Sequence, residues 1–202
     1  MKIKYMILML FLSSYIYAQD FPGGINPDAD YNQKSEPNGL YAGLSAKGVS
    51  LMGDWGLELG GRMGGFFNDY LSVGAGFYYL FTQTIHYKIN DSPVEPHLRH
   101  FYFGAESEFH IPILDFISTS AFLGAYIGQV NEGIRSDVDI SHELAGNWIF
   151  SLEPGFLIYF DVIDDISIGL SYQYRKSFGV DFKTLTDDDL SGNIISVSFI
   201  TR

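Results

Sequence analysis

The chain has 202 residues, no cysteine and a formal net charge of −12. This length suits one ordinary domain, and the lack of cysteine excludes disulfides, thiolate metal sites and thiol nucleophiles. The acidic balance argues against nucleic acid as a partner. Aromatic residues make up 16% of the chain and 22 glycines are scattered along it, a composition typical of strand-rich proteins.

The first 18 residues, MKIKYMILMLFLSSYIYA, have the pattern of a secretory signal peptide. Lys2 and Lys4 precede an apolar run that ends at Ala18, a small residue suited to cleavage. Without this segment the chain has 10 basic and 24 acidic residues, a formal charge of −14. Residues 19–38 are rich in Pro, Gly, Asn and Asp and show no periodicity, which predicts a flexible leader. We therefore expect an exported protein whose folded domain is 39–202.

Apolar residues alternate with small or polar residues in eight successive segments, which is the pattern of strands with one apolar and one polar face. In the stretch ISIGLSYQYR, for example, Ile166 and Leu170 lie on one face, and Gln173 and Arg175 lie on the other. The segments lie near residues 40–47, 57–64, 71–81, 101–110, 120–128, 148–160, 166–175 and 194–202.

One proline interrupts the pattern in the sixth segment, WIFSLEPGFLIYF. Pro154 cannot donate a hydrogen bond to a strand ladder. We therefore expect Pro154 and Gly155 to form a bulge beyond which the two faces can exchange.

The connections between the segments alternate between short and long. Short ones lie near 67–70, 111–116 and 161–165, and long polar ones near 85–98, 130–146 and 177–190, with one brief exception near 48–54. Outer-membrane barrels combine tight periplasmic turns with longer extracellular loops in this way. The sequence therefore predicts an all-β fold, an eight-stranded antiparallel up-and-down transmembrane β-barrel. A lipocalin-like cup is the alternative, because its open end also carries longer loops.

Charged residues on the polar faces favour the membrane barrel, because a ligand-binding cup lines its interior with apolar groups. In a barrel they would meet in a lumen that is just wide enough for side chains to fill it. We expect either a structural plug of paired charges or a gated path for protons or ions. The excess of acids predicts bound waters or one protonated carboxyl. The expected network consists of Glu58, Arg62, Glu106, Glu108, Glu153 and Arg175.

The chain resembles a known family in three stretches. They are GLELGGRMGGFFNDYLSVGAGFYYL (56–80), LEPGFLIYFDVIDDISIGLSYQYR (152–175) and LTDDDLSG (185–192). The chain resembles the small outer-membrane β-barrel proteins widespread in Bacteroidetes-type bacteria and, more loosely, the eight-stranded OmpA and OmpX barrels. The resemblance covers about 39–202 and implies an architecture without a particular chemistry.

The resemblance also implies a location and partners. It implies the outer membrane of a Gram-negative-type bacterium, contact with outer-membrane lipid, and insertion by the barrel-assembly machinery. Such barrels usually end in an aromatic residue, whereas this chain ends Phe199-Ile200-Thr201-Arg202. The machinery would therefore use Phe199 or tolerate the variation.

Two acidic segments have the alternating spacing of oxygen ligands, but neither has the glycine and distal glutamate of a calcium loop. They are weak candidates for binding a divalent cation, and we expect no cofactor. The candidates are Asp137, Asp139 and Glu143 with Ser141 in one segment, and Asn26, Asp28, Asp30 and Asn32 in the other.

Five histidines raise the question of catalysis. Ser141 and His142 are neighbours in one predicted outer loop, and His97 and His100 lie in another. Adjacent residues on an extended chain point apart, so Ser141 and His142 cannot form a dyad unaided. We expect His86 to be a loop residue and His110 to lie at the inner rim, and we predict no enzyme.

The expected role is structural, or interaction with an extracellular partner through the acidic loops 85–98, 130–146 and 177–190. A lipid-modifying enzyme and a narrow channel for small solutes or ions are the alternatives.

Overall fold

In a computed structural model the chain forms a closed antiparallel β-barrel, in which each strand pairs with its neighbours in sequence and the last strand pairs with the first. The structure describes residues 39–81, 96–134, 142–163, 165–181 and 185–201. The eight strands are β1 Leu40–Leu51, β2 Asp54–Phe66, β3 Leu71–Leu80, β4 Pro96–Leu114, β5 Ile117–Ile134, β6 His142–Ile163, β7 Ile166–Phe178 and β8 Gly192–Thr201. The predicted eight-stranded up-and-down fold is confirmed. The described residues contain no helix long and apolar enough to cross a membrane.

One end of the barrel, which we call the turn end, carries three short connections together with the start of β1 and the end of β8. The connections are 67–70, 115–116 and 164–165. In the first, the side-chain oxygen of Asn68 accepts hydrogen bonds from the backbone N–H groups of Tyr70 and Leu71, at 2.9 and 2.8 Å. An asparagine side chain that replaces backbone partners in this way stabilises a tight turn.

The opposite end, which we call the loop end, carries the longer connections 81–95, 135–141 and 179–191. It also carries a hairpin turn of only two residues, Met52 and Gly53, between β1 and β2. Both residues have positive φ, 53° and 86°, which is the conformation that a two-residue hairpin requires. This turn explains why the connection predicted near 48–54 is so brief.

The barrel is apolar outside and polar inside. On β7 the outward residues Leu170 and Tyr172 are exposed, whereas Ser171, Gln173 and Arg175 are buried in the lumen. The same alternation runs along the other strands with described side chains, so large apolar residues such as Phe156 and Phe199 cover the outside. In a soluble protein the apolar face of a sheet would pack on a core, so this arrangement suits a surface that contacts hydrocarbon.

The predicted bulge at Pro154 and Gly155 is wrong. Pairing with β5 runs through Leu123↔Pro154 without a register shift, and inward and outward positions continue to alternate beyond it. The ladder to β7 omits Glu153 and Pro154 but keeps the same register on both sides of the gap. The missing proline N–H therefore interrupts one ladder locally, while intact pairing with β5 keeps the strand in register.

The strands extend further toward the loop end than the sequence predicts. β4 begins at Pro96, β5 ends at Ile134 and β6 begins at His142, so His97 and His100 lie in a strand and not in a loop. These segments lack a clear apolar alternation, but cross-strand pairing continues through them, as in Pro96↔Ile134. Tertiary pairing overrides the local pattern here.

The inside-out arrangement predicts how a charge on the outer face affects stability. Leu170 lies on β7 between Ile158 and Val197 of the neighbouring strands, with 46% of its surface exposed. We expect Leu170→Arg to reduce the free energy of unfolding by about 2 to 4 kcal/mol, because hydrocarbon solvates the cation poorly. The measurement is reversible unfolding in urea from lipid vesicles.

Tyr174→Arg is the matched control, because it places the same cation on the same strand and outer face but nearer the loop end. Near the membrane surface the cost of an arginine falls to about 0 to 1 kcal/mol. Equal losses for Leu170→Arg and Tyr174→Arg would contradict the assignment of this face to lipid.

Candidate functional site

Apolar side chains fill the lumen at the loop end. We call them the apolar plug; each has no more than 3% of its surface exposed. Seven come from inward positions of the strands and two from the connection between β7 and β8. The plug consists of Val49, Leu51, Leu80, Leu98, Val130, Ile149, Leu185, Leu190 and Ile194.

The connection between β7 and β8 is folded into the barrel mouth through its residues 185–191. The backbone N–H of Met52 donates to the carbonyl of Asp189 at 3.0 Å, and the Ser177 hydroxyl donates to the carbonyl of Leu190 at 2.8 Å. At the surface, Lys176 Nζ donates to Asp188 Oδ1 at 2.6 Å, which lowers the pKa of that exposed carboxyl. These bonds hold Leu185 and Leu190 inside the plug.

Below the plug lies a group of buried ion pairs that we call the upper cluster. Arg175 donates through both terminal nitrogens to Glu58, at 2.8 Å each, and through Nε to Glu153 at 2.6 Å. Lys47 Nζ donates to the second oxygen of Glu153 at 2.9 Å, and the Tyr102 hydroxyl donates to Glu58 at 2.5 Å. Two cations face two carboxylates, so the formal charges of these ion pairs balance.

Nearer the turn end lies a second group, which we call the lower cluster. Arg62 contacts Glu106 through Nε, 3.0 Å from Oε2, and donates through Nη2 to Glu108. The Tyr159 hydroxyl donates to Glu108 at 2.7 Å. The hydroxyls of Tyr78 and Tyr126 donate to one oxygen of Glu106, at 2.8 and 2.7 Å. One guanidinium therefore faces two carboxylates, and tyrosine hydroxyls supply the additional donors that these carboxylates need.

Three tyrosine rings lie between the two clusters. The ammonium of Lys47 lies 3.5 Å from the ring centroid of Tyr78, and 5.5 and 5.3 Å from those of Tyr102 and Tyr126. Aromatic faces attract a desolvated cation, so this cage holds the one lysine of the described lumen. Inward glycines make room for it, since a Cβ at Gly76 would overlap Glu106 and Tyr78 and one at Gly124 would overlap Tyr126.

The structure places all six network residues predicted from the sequence in the lumen, but divides them between the two clusters. Glu58, Glu153 and Arg175 lie in the upper cluster, and Arg62, Glu106 and Glu108 in the lower.

The most important omission from the predicted network is Lys47. Its position on the polar face of β1 was visible in the alternation, and it reduces the excess of acids over bases in the two clusters to one. The tyrosine donors Tyr78 and Tyr102 also lie on polar faces of their segments. Their hydrogen bonds to carboxylates could not be read from the alternation, because it gives no distance between strands.

The structure describes the side chain of His100 but not those of the acidic metal candidates. His100, predicted to lie in an outer loop, is buried in the lumen, where its ring stacks on Tyr102 with 4.9 Å between centroids. Asp137, Asp139 and the segment of Asn26 lie outside the described residues, as does the side chain of Glu143. In the part of the chain that the structure describes, no group of three or more His, Cys, Asp or Glu could hold a metal ion.

A small cavity of about 10 Å³, the size of one water molecule, lies beside the lower cluster. His110 borders it and lies between two serines, with Nε2 2.9 Å from Ser72 Oγ and Nδ1 2.8 Å from Ser120 Oγ. The cavity is lined by Tyr41, Phe66, Ser72, Glu108, His110, Tyr159 and Ile200.

A closed barrel with an apolar exterior and a filled polar interior defines the class of integral β-barrel membrane proteins. The chain belongs to the outer membrane protein beta-barrel domain family, whose model matches residues 7–202. It is thus a small outer-membrane barrel. Comparison with curated protein sequences gives no match.

Two solved structures with TM-scores above 0.5 show the same fold, and a third is less similar. Neisserial surface protein A (NspA) is 12% identical with a TM-score of 0.53, and the match covers 80% of this chain and 94% of NspA. A major outer membrane protein from Thermus thermophilus is 9% identical with a TM-score of 0.52, over 80% of this chain and 98% of that one. Ail, the attachment invasion locus protein of Yersinia pestis, is 18% identical with a TM-score of 0.46, over 80% and 95%. At these identities the likeness concerns the fold alone.

The upper cluster predicts a large cost for removing Lys47. Lys47→Met leaves Glu153 paired only with Arg175, which Glu58 also shares. We expect it to reduce the free energy of unfolding by about 3 to 5 kcal/mol, because breaking a buried pair leaves an uncompensated charge. The measurement is urea unfolding of the barrel in lipid vesicles.

The double variant Lys47→Met with Glu153→Gln removes both charges of that pair. It should lose less stability than the sum of the two single variants, since neither charge remains unpaired. Strictly additive losses would show that Lys47 and Glu153 do not stabilise each other.

Proposed function

We propose that this protein is a non-conducting scaffold of the outer membrane that interacts with extracellular partners through its loop end. The observation that carries the proposal is the filled lumen. The apolar plug closes the loop end, and the charges beneath it are paired with one another and with tyrosine hydroxyls. A filled interior of this kind favours a rigid membrane-spanning scaffold over a conducting channel.

The order in which the lower cluster, the Lys47 cage and the apolar plug follow one another along the lumen argues against a channel. An ion that entered from the turn end would meet the lower cluster, then the Lys47 cage, and then the apolar plug. The plug offers no polar side chain to replace the ion's water, and transfer of a charge into such surroundings is costly. Conduction would therefore require the β7–β8 connection to leave the mouth.

The two ends of the barrel support the interaction role. In outer-membrane barrels the short turns face the periplasm and the longer loops face outward, so the turn end would be periplasmic and the loop end extracellular. The connections at the loop end are acidic, with Asp187, Asp188 and Asp189 in one and Asp137 and Asp139 in another. Acidic loops favour a partner with a basic surface, because complementary charge steers association.

The enzymatic alternative has less support. Ser72 and His110 are within hydrogen-bonding distance, but Ser72 is only 1% exposed and the adjoining cavity has room for about one water molecule. A lipid or sugar substrate could not approach that hydroxyl. The pair Ser141 and His142 gives no further support, because the side chains concerned lie outside the described part.

We further propose the export route that the sequence predicts. Residues 1–18 would be cleaved as a signal peptide, 19–38 would remain as a leader, and the barrel-assembly machinery would insert 39–202 with Phe199 near its end. We also propose, from the resemblance, that the barrel is of the Bacteroidetes type. Sequencing the amino terminus of the membrane-extracted protein tests the cleavage of the signal peptide: a start at Gln19 is expected, and a start at Met1 would contradict it.

Conductance in planar bilayers tests the scaffold proposal. We expect the full-length folded protein to give no single-channel steps, because the plug excludes hydrated ions. A variant with Leu185→Ser and Leu190→Ser is the matched comparison, since it weakens the plug and leaves both charge clusters in place. We expect this variant to give brief openings.

The contradictory outcome is conductance by the unmodified protein that changes with Glu106→Gln, which would favour a channel through the lower cluster. A general porin in the same bilayer controls for detection. Protease treatment of intact cells before extraction provides the orientation, because only extracellular loops can then be cut.

A further inference from the structure

The outer face of the barrel changes from apolar to polar at the loop end of β4 and β5. On β4 the outward residues Phe103 and Phe101 are followed by Arg99, and on β5 the outward Ile127 is followed by Gln129. The lipid-facing band of an outer-membrane barrel is apolar and ends at an aromatic girdle. The membrane surface at the loop end is therefore expected near Arg99 and Gln129.

The two tryptophans of the chain lie at the same end of the outer face. Trp55 of β2 is 60% exposed and Trp148 of β6 is 53% exposed. β2 and β6 lie four strands apart in the closed ring of eight, on opposite sides of the barrel. Tryptophan is enriched where hydrocarbon meets headgroups, so Trp148, the direct strand partner of Gln129, also indicates that the membrane surface lies at this level.

A row of aromatic side chains crosses the outer face at this level. Phe101, Gln129 and Trp148 lie directly opposite one another on β4, β5 and β6. The rings of Phe101 and Trp148 meet edge to face, with 6.1 Å between their centroids. The side chain of Gln129 therefore leaves the sheet between two aromatic residues.

The next row of outward residues toward the loop end is polar. Arg99 pairs with Asn131, and Asn131 pairs with the exposed Gly146. A Cβ at Gly146 would overlap Asn131 Oδ1 and would lie 3.4 Å from Gln129 Nε2. The two amides therefore converge over the backbone of Gly146, where a side chain would displace them.

Arg99 gives this surface its positive charge. The described outward positions of the strands carry two cations, Arg99 and Lys176. Lys176 donates to Asp188 at 2.6 Å, whereas Arg99 is partly exposed and lies opposite Asn131. A guanidinium matches the geometry of a phosphate group, to which it can donate two parallel hydrogen bonds.

The same surface suits the sugar of a lipid headgroup. Amides both donate to and accept from hydroxyls, and an indole such as that of Trp148 combines an apolar ring with a hydrogen-bond donor. Beneath these groups the outward side chains of Ile127 and Phe103 are 46% and 47% exposed and would contact acyl chains. A molecule with a phosphorylated sugar and acyl chains would contact both regions, whereas a soluble sugar phosphate would reach only the upper one.

We propose that this surface is a binding site for a glycolipid of the membrane leaflet at the loop end, which holds the phosphorylated sugar of its headgroup. The headgroup site consists of Arg99, Gln129, Asn131, Gly146 and Trp148. Arg99 binds the phosphate, the two amides bind sugar hydroxyls, and Trp148 packs against the ring. The site requires the loop end to face the glycolipid leaflet, as the proposed function also does, but it requires neither a protein partner nor a closed lumen.

Fluorescence of a single tryptophan tests the site in the full-length protein. Trp55→Phe leaves Trp148 as the reporter, and the protein is placed in phosphatidylcholine nanodiscs with increasing fractions of bisphosphorylated lipid A. We expect a saturable change in the emission of Trp148. Trp148→Phe leaves Trp55 on the opposite side of the barrel and is the matched control, which should show no saturation. No saturation at Trp148, or the same response at Trp55, would overturn the proposal.

Removal of either charge tests the contact between Arg99 and phosphate. In the Trp55→Phe background we expect Arg99→Gln to weaken lipid A binding about tenfold or more, because hydrogen bonds between charged groups are lost. Lys176→Gln removes the other outward cation and should change binding by less than about twofold. Unchanged binding by Arg99→Gln would overturn the proposal.

Lipid A without phosphates gives the same test without changing Arg99. We expect it to bind the unmodified site about tenfold more weakly, and to bind Arg99→Gln with no further loss. Equal binding of the two lipids by the unmodified site would contradict recognition of a phosphate.

A soluble competitor separates a lipid site from a site for free sugar phosphates. Excess glucosamine 1-phosphate, and excess inorganic phosphate, should not displace lipid A from the headgroup site, because neither contacts the apolar rows beneath it. Displacement by either compound at a concentration comparable to that of lipid A would overturn the assignment to a lipid. These results leave the conductance test of the scaffold function unaffected, so the two proposals can fail separately.

Discussion

The hydrocarbon interior of a bilayer offers no water to polar groups, and the rest of this structure depends on that constraint. Each backbone N–H and C=O within the membrane needs a partner in the protein, and pairing of β8 with β1 provides it by leaving no strand edge. Because side chains alternate along each strand, the same ladder separates apolar groups, which face outward, from charged groups, which face the lumen. Fold, surface and interior therefore follow from one requirement.

The interior is graded from one end to the other. At the loop end the plug contains only apolar side chains, in the middle Lys47 and Arg175 balance two glutamates, and nearer the turn end Arg62 faces two glutamates. Tyrosine hydroxyls stabilise the buried glutamates, because they donate hydrogen bonds to the carboxylates without adding charge.

The sequence predicts well which face of a strand each residue lies on, but it predicts poorly how the strands are staggered along the barrel axis. A period of two assigns Glu58 and Arg175 to the lumen, but their contact joins residues 117 positions apart and depends on the tilt and stagger of strands around the closed barrel. For the same reason the predicted single network becomes two clusters. Lys47 illustrates a different limit, since its face was evident but its partner Glu153 lies across the lumen.

The errors at strand ends and at Pro154 have a common cause. Local composition indicated loops near His100 and a bulge at Pro154, yet pairing with neighbouring strands carries the ladder through both. Neighbouring strands fix the conformation of a segment whose own sequence is ambiguous, and a single chain gives no information on that pairing. The loops that would contact a partner are specified still less, because no periodicity constrains them.

Removal of detergent from the purified, folded barrel is the most direct test of the central claim, that the apolar face of each strand contacts lipid. The account predicts a monodisperse monomer in detergent or nanodiscs that aggregates once the amphiphile is withdrawn, since its outer surface would then meet water. A compact monomer that remains soluble in plain buffer would contradict it, because the apolar side chains would then have to lie inside.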